Sequence, residues 1–143
     1  MTRTSFEQVV TRAFCQLLAD GMTKESSITR AYFDDASVVL GATAFRARVN
    51  RDRGLVNIEI ASRERPDEWF PLEWVMAAVT KTPPATPGTI TLDEAASLIQ
   101  AHSRAMAEHM TGGQAEKTLA LFNQFAEERL DALERGEWPL PPE

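Results

Sequence analysis

The sequence predicts an α+β fold, a small antiparallel β-meander packed by an amino-terminal helix and a short helix and followed by a carboxy-terminal helical hairpin. Three observations carry this. Residues Phe45 to Ala61 alternate apolar and polar with period two around Arg51-Asp52-Arg53-Gly54, an amphipathic β-hairpin. Phe6, Val9, Val10, Ala13, Phe14, Leu17 and Leu18 recur at helical spacing before Gly21. Two further helical patterns flank Gly112-Gly113. With 143 residues, 43% of them hydrophobic, the chain has the size of one domain with one core.

The first helix is predicted from about Ser5 to Asp20, with Thr4 and Glu7 at capping-box spacing and Gly21 as the stop. Cys15, at the edge of its apolar stripe, reads as a buried structural thiol. Residues 22–36 are mixed and polar, with Ile28, Tyr32 and Phe33 as the only large apolar groups, and read as a loop. Val38, Val39 and Leu40 supply a third strand, which a hairpin needs if it is to be stable against a helix. In the hairpin a four-residue loop, Arg51 to Gly54, allows glycine at the positive-φ position. That loop pairs Val49 with Val56, Ala47 with Ile58 and Phe45 with Ile60 on the apolar face, and Arg46 with Glu59 and Arg48 with Asn57 on the other. A one-residue slip would turn the apolar face outward.

Residues 62–68 form a charged turn, after which Trp69-Phe70 precede Pro71. Proline suits the first helical position, so a short helix from Pro71 to Val79 buries Leu72, Val75, Met76 and Val79. Residues 81–90, with three prolines and Gly88, form a semi-rigid connector. The chain thus divides into a helix-sheet part (1–80), a linker (81–90) and a helical hairpin with tail (91–143), all within a single domain. Thr91 and Glu94 cap a long helix with Ala95, Leu98, Ile99, His102, Met106 and His109 near one face. The last helix, about Ala115 to Arg135, is expected to bury Leu119, Phe122, Phe125, Ala126, Leu130 and Leu133. In the proline-rich tail Trp138 and Leu140 form a hydrophobic clip.

Composition excludes more chemistry than it selects. No apolar run approaches the roughly 18 residues of a membrane span, and the first residues lack a signal-peptide core, so a cytoplasmic protein is expected. One cysteine rules out an internal disulfide and a cysteine metal site. The net charge of −6 sits mostly in the second part: residues 1–80 hold ten Lys and Arg against eleven Asp and Glu, residues 81–143 five against ten. That field disfavours nucleic acid. There is no Gly-x-Ser-x-Gly elbow, phosphate loop or dinucleotide fingerprint. His102 and His109 stand two helical turns apart, roughly 10 Å, too far to grip one metal together. Asp34-Asp35, Asp67-Glu68 and Glu127-Glu128 are adjacent carboxylates whose side chains diverge, and solvated surface is their plain reading. No catalytic, cofactor-binding or metal-ligating residue is assigned, and no cofactor.

The remaining candidates are arginines and aromatics. Arg46 and Arg48 are aimed at one solvent face and Arg51 and Arg53 at the hairpin tip, with Arg63 and Arg65 nearby. Asp52, Glu59 and Glu64 offset that charge, and no aromatics alternate with the arginines to stack bases. Trp69 and Phe70 adjoin the hairpin and belong to the residue types that anchor protein interfaces. Arg46, Arg48, Arg51, Arg53, Trp69 and Phe70 are therefore the candidate partner-binding residues.

The order Phe45-Arg46-Ala47-Arg48-Val49, Arg51-Asp52-Arg53-Gly54, Val56-Asn57-Ile58-Glu59-Ile60 and Trp69-Phe70-Pro71-Leu72-Glu73-Trp74-Val75 resembles small bacterial immunity proteins that neutralise polymorphic toxins. The likeness covers residues 33–79 as a pattern of strand, strand and aromatic-led helix. It implies a non-catalytic protein that binds and occludes one cognate toxin domain, with acidic residues meeting a basic toxin surface; the hairpin arginines depart from that. A second resemblance, to acidic secretion chaperones of similar length, implies a dimer bound to an effector, but the carboxy-terminal helical pair has no match in them. Two further functions stay open to a chain of this composition: a nucleic-acid-binding module, and a metal-dependent enzyme built around His102, His109 and distant carboxylates.

Overall fold

The computed structural model describes residues 5–30, 35–52 and 54–136. The chain runs α1 (Phe6–Ala13), α2 (Cys15–Ala19), β1 (Thr23–Arg30), β2 (Asp35–Gly41), β3 (Phe45–Asp52), β4 (Leu55–Ser62), β5 (Phe70–Pro71), α3 (Leu72–Thr80), α4 (Leu92–His109) and α5 (Gly112–Glu134). The strands form one antiparallel sheet in sequential order, β1-β2-β3-β4-β5. The α+β meander is as predicted, with two strands added to it.

One sheet face makes the core. Val38 and Leu40 of β2, Ala47 and Val49 of β3, and Ile58 and Ile60 of β4 are buried in one cluster with Val10 and Phe14, Leu72 and Val75, Ile99 and Met106, and Phe122. These are the positions that period two assigns to one face of each strand and the helical period to one stripe of each helix. Burying each large side chain contributes roughly 1.5–3 kcal/mol.

The first helix bends where one continuous helix was expected. Ser5, not Thr4, caps it: the Ser5 hydroxyl accepts from the Gln8 N–H (3.1 Å) and the Gln8 side chain accepts from the Ser5 N–H (3.0 Å). Thr4 lies outside the described residues. Phe14, at φ −98° and ψ 15°, separates α1 from α2, yet Phe6, Val10, Phe14 and Leu17 stay on one buried stripe. Cys15 falls off that stripe and is exposed, not buried. Its thiol is expected to react fully with an aromatic disulfide reagent in the absence of denaturant, and Cys15→Ser to change stability by less than about 0.5 kcal/mol. Reaction only on unfolding would contradict this placement.

Part of the predicted loop 22–36 is strand β1, paired with β2 from Thr23↔Gly41 to Arg30↔Asp35 and shifted in register between Lys24 and Ser26. From Thr23 to Ile28 every residue of β1 is exposed, so the strand has no apolar face to announce it. Its Lys24 is bonded to Glu7 of α1 and holds that carboxyl below its ordinary range. Tyr32 and Phe33 lie outside the described residues, as do Asp34, Trp138 and Leu140.

Pro71 stands just before α3 as its cap residue and not at the first helical position. Residues 72–78 are all buried, Glu73 included, while Val79 is half-buried. The Glu73 side chain is the reason the proline-rich segment is more than a connector. Its Oε2 accepts from the backbone N–H groups of Gly88 (2.8 Å), Thr89 (3.0 Å) and Ile90 (3.2 Å), binding the loop to α3. Thr91 then caps α4 through the expected box with Glu94.

α5 begins at Gly112, earlier than predicted, with Met110 and Thr111 linking it to the end of α4 at His109. Its buried line is Thr118, Phe122, Phe125 and Ala132. Leu130 and Leu133, expected in the core, are exposed. They lie beside that line, not on it. Among the described residues no helix is long and apolar enough to cross a membrane.

Candidate functional site

The sheet face turned away from the helices carries the polar members of β3 and β4. Here the hairpin register differs from the one predicted. The ladder continues to Asp52↔Leu55, so two residues and not four cross between the strands, and Gly54 takes φ +82°. Because the shift is by two residues, the apolar face is unchanged while every cross-strand partner moves. Val49 faces Ile58 and Ala47 faces Ile60; on the outer side Arg48 faces Glu59 and Asn50 faces Asn57.

Those outer side chains bond to one another. Glu59 Oε1 accepts from Arg48 Nε (3.1 Å), Arg48 Nη2 (2.7 Å) and Asn50 Nδ2 (2.7 Å). Asn50 Nδ2 also reaches Asn57 Oδ1 (3.0 Å), and the Ser37 hydroxyl donates to Asn50 Oδ1 (2.9 Å). The lattice spans β2, β3 and β4 and ties each of these side chains to a neighbour on the next strand.

Trp69 lies over this lattice. The Arg48 guanidinium sits 4.3 Å and the Arg46 guanidinium 5.1 Å from the centroid of its ring, a double cation–π contact worth roughly 0.5–1 kcal/mol per pair at such half-exposed positions. Arg46 Nη2 donates to the Pro66 carbonyl (2.8 Å) while its Nε is buried without an acceptor. Behind it, Glu25 pairs with Arg63 and lies 4.0 Å from Arg46 Nη1. Arg63 also donates through Nε to the Ala42 carbonyl (3.0 Å). Gly41 makes room for this pair: a Cβ there would fall on the Glu25 carboxylate and the Arg63 guanidinium.

The turn that delivers Trp69 is tied to the helices. The Ser62 hydroxyl donates to the Met110 carbonyl (2.5 Å), the Glu64 carboxylate accepts from the Gly112 N–H (2.8 Å), and Arg65 pairs with Glu116 of α5. Glu116, with Glu68 beside it, pushes the Arg65 guanidinium further up from its already high range.

The six candidate residues therefore part company. Arg46, Arg48 and Trp69 come together on the outer face. Phe70 turns to the opposite side, where, half-buried, it packs against the core in an aromatic cluster with Phe122 (4.6 Å between centroids) and Trp74 (6.5 Å). Neighbours along an extended chain point to opposite faces, which makes the separation of Trp69 from Phe70 a geometric necessity. Arg51 is on the helix side, its guanidinium 4.8 Å from the Phe6 ring centroid. Arg53 lies outside the described residues. Sequence reasoning missed Glu25, because β1 itself was missed; Asn57 was legible as outward-facing, but not as the partner of Asn50.

The histidines stay apart from this face. His109 Nδ1 lies 2.8 Å from the Ala105 carbonyl of its own helix, and His102 is half-buried on α4. Among the described residues no three His, Cys, Asp or Glu side chains are grouped so as to hold a metal ion. Comparison of the chain with protein-family models, with curated proteins and with solved structures finds no match.

Proposed function

We propose that this chain is a non-catalytic protein-binding protein, an immunity protein that occludes a cognate bacterial toxin domain in the cytoplasm, and that the outer sheet face is where it binds. The observation that carries the reading is Trp69, half-exposed and fixed between Arg46 and Arg48 on a lattice of mutually bonded side chains. Tryptophan and arginine dominate the energetics of protein interfaces. Holding them in place beforehand removes part of the ordering cost of association.

Charge favours a protein partner over nucleic acid. Arg48 is paired with Glu59, and Arg46 and Arg63 stand against Glu25, so among the described residues the face offers both signs at short range and no continuous cationic track. Such a mixed pattern selects among partners by complementarity.

The test is whether a secreted toxin is encoded beside this gene and, where one is, its capture by this chain, measured by calorimetry with the purified toxin domain. Trp69→Ala is expected to weaken binding by about 2 kcal/mol, roughly thirtyfold in Kd, and Cys15→Ser to leave it intact. Unchanged affinity of the tryptophan variant rejects this face. A neighbouring secretion effector in place of a toxin, bound by the chain, assigns it to the chaperones instead.

A further inference from the structure

Trp69 is delivered to the outer face by a segment with little burial of its own. Residues 63–68 are all exposed, so apolar packing does not fix the path of the chain from Ser62 to Trp69. Polar contacts do, and those of Ser62, Glu64 and Arg65 run to the helices. The Ser62 hydroxyl donates to the Met110 carbonyl (2.5 Å) and accepts from the Glu64 N–H (3.1 Å), which sets Glu64 beside the α4–α5 junction. Arg65 pairs through Nη2 with Glu116 of α5, and its Nη1 lies 3.5 Å from Glu68, the residue before Trp69. Backbone bonds from Arg65 to Ser62 and from Glu68 to Arg65 (3.1 Å each) fold the segment into two consecutive turns. The crevice left between it and α5 is about 20 Å³, room for one water.

The helix depends on the same contact. Thr111 stands at the N-cap of α5 but makes no side-chain cap bond, because its hydroxyl donates back to the Ala107 carbonyl (2.9 Å). Glu64, 48 residues before Gly112, supplies the missing acceptor for the Gly112 N–H (2.8 Å). A carboxylate there also meets the positive end of the helix dipole. Beyond Trp69, Phe70 rests on Phe122 of α5 at 4.6 Å between centroids. The chain on both sides of Trp69 is thus fastened to one helix, which lies on the opposite face of the sheet.

We infer that α5 sets the seat of Trp69, with Glu64 and Arg65 as positioning residues that act on the outer face through the turn and not by touching what binds there. Their effect on affinity rests on the outer face being the binding surface; their effect on Trp69 does not. Exposed ion pairs contribute little to folding, so loss of either residue loosens the turn and leaves the sheet intact.

The experiment is NMR spectroscopy of the free protein. The Trp69 ring, 4.3 Å from the Arg48 guanidinium, displaces the resonances of the Arg48 side-chain protons. Glu64→Ala is expected to reduce that displacement by at least half, and Glu64→Gln, which keeps an oxygen for Gly112, to reduce it less. Glu116→Ala, on the helix itself, is expected to act in the same direction, and Glu127→Ala, further along α5, to have no effect. Unchanged amide resonances of Ala47, Val49 and Ile58 certify the sheet in each variant. An undiminished displacement in both Glu64→Ala and Glu116→Ala, or an equal loss in Glu127→Ala, would overturn the inference. Where a partner binds the outer face, Glu64→Ala is expected to weaken it about threefold and to add nothing in the Trp69→Ala background, whereas additive losses would mean that Glu64 touches the partner directly and would also overturn it. A partner indifferent to Trp69→Ala rejects the binding face alone, since the spectra of the free protein decide the role of α5.

Discussion

Phe122→Ala is expected to remove about 4 kcal/mol of folding stability. Phe122 is 1% exposed and lies at the junction of three elements, with ring centroids 4.6 Å from Phe70 on β5, 6.2 Å from Trp74 on α3 and 6.4 Å from Phe125 on its own helix. Its removal takes away the transfer free energy of a large side chain, opens a cavity that Phe70 and Trp74 cannot both fill, and breaks three aromatic contacts. Domains of this size are stable by about 5–15 kcal/mol in all, so such a loss is a large share of the total. Urea unfolding followed by tryptophan fluorescence measures it directly. Trp74 lies in the affected cluster, and its emission should shift even in the folded variant. A loss under about 1 kcal/mol would mean that α5 contributes little to holding the sheet and α3 together.

The second large effect is expected at Glu73. Replacement by alanine should cost about 3 kcal/mol, and by glutamine about 1–2 kcal/mol. The residue is only 4% exposed, and its carboxylate receives three backbone donors, Gly88, Thr89 and Ile90. Bonds from amides to a charged acceptor are stronger than neutral ones, and alanine leaves all three donors without a partner. Glutamine keeps an oxygen for them but loses the charge. The half-buried and exposed positions of the loop residues let water replace part of the loss, which limits it. Urea titration gives the energies, and amide exchange at residues 88–90 gives the location: protection there should fall in both variants and fall further in alanine. Equal stability of wild type and Glu73→Ala would show that the loop holds its shape without this anchor.

How much could be read from the sequence followed from how much each residue's burial was coupled to its position. The β3–β4 faces were legible because both strands alternate with period two and have one side in the core. Their register was not, since loops of two and four residues keep the same parity and leave the same faces buried. β1 was invisible for a related reason: a strand exposed from Thr23 to Ile28 contributes backbone hydrogen bonds and no apolar pattern. On α5 the large leucines 130 and 133 drew the expected core away from the true line, which continues from Phe122 and Phe125 to the small Ala132. Spacing was the better guide there than side-chain size. The same held at Cys15, because the apolar stripe of the first helix passes it by and general cysteine burial does not decide a single site.

The candidate site was legible in its hairpin half. Arg46 and Arg48 were placed on the outer face by alternation alone, whereas Glu25, Gly41 and the turn from Ser62 to Trp69 reach it from segments whose positions depend on tertiary contacts. Which of Trp69 and Phe70 faced outward depended on where β5 joined β4, a pairing of two residues with no local signature.

The sequential order of the strands bears on how the chain acquires its structure. Each strand lies beside the one synthesised just before it, so the sheet closes through successive short loops with small entropic barriers and no distant pairing to search for. Helices α4 and α5, whose buried stripes complete the core, emerge later from the ribosome and find a template whose apolar face is already laid out. During synthesis that face is the surface most prone to wrong associations, and the interval before α5 arrives is when protection by chaperones matters most.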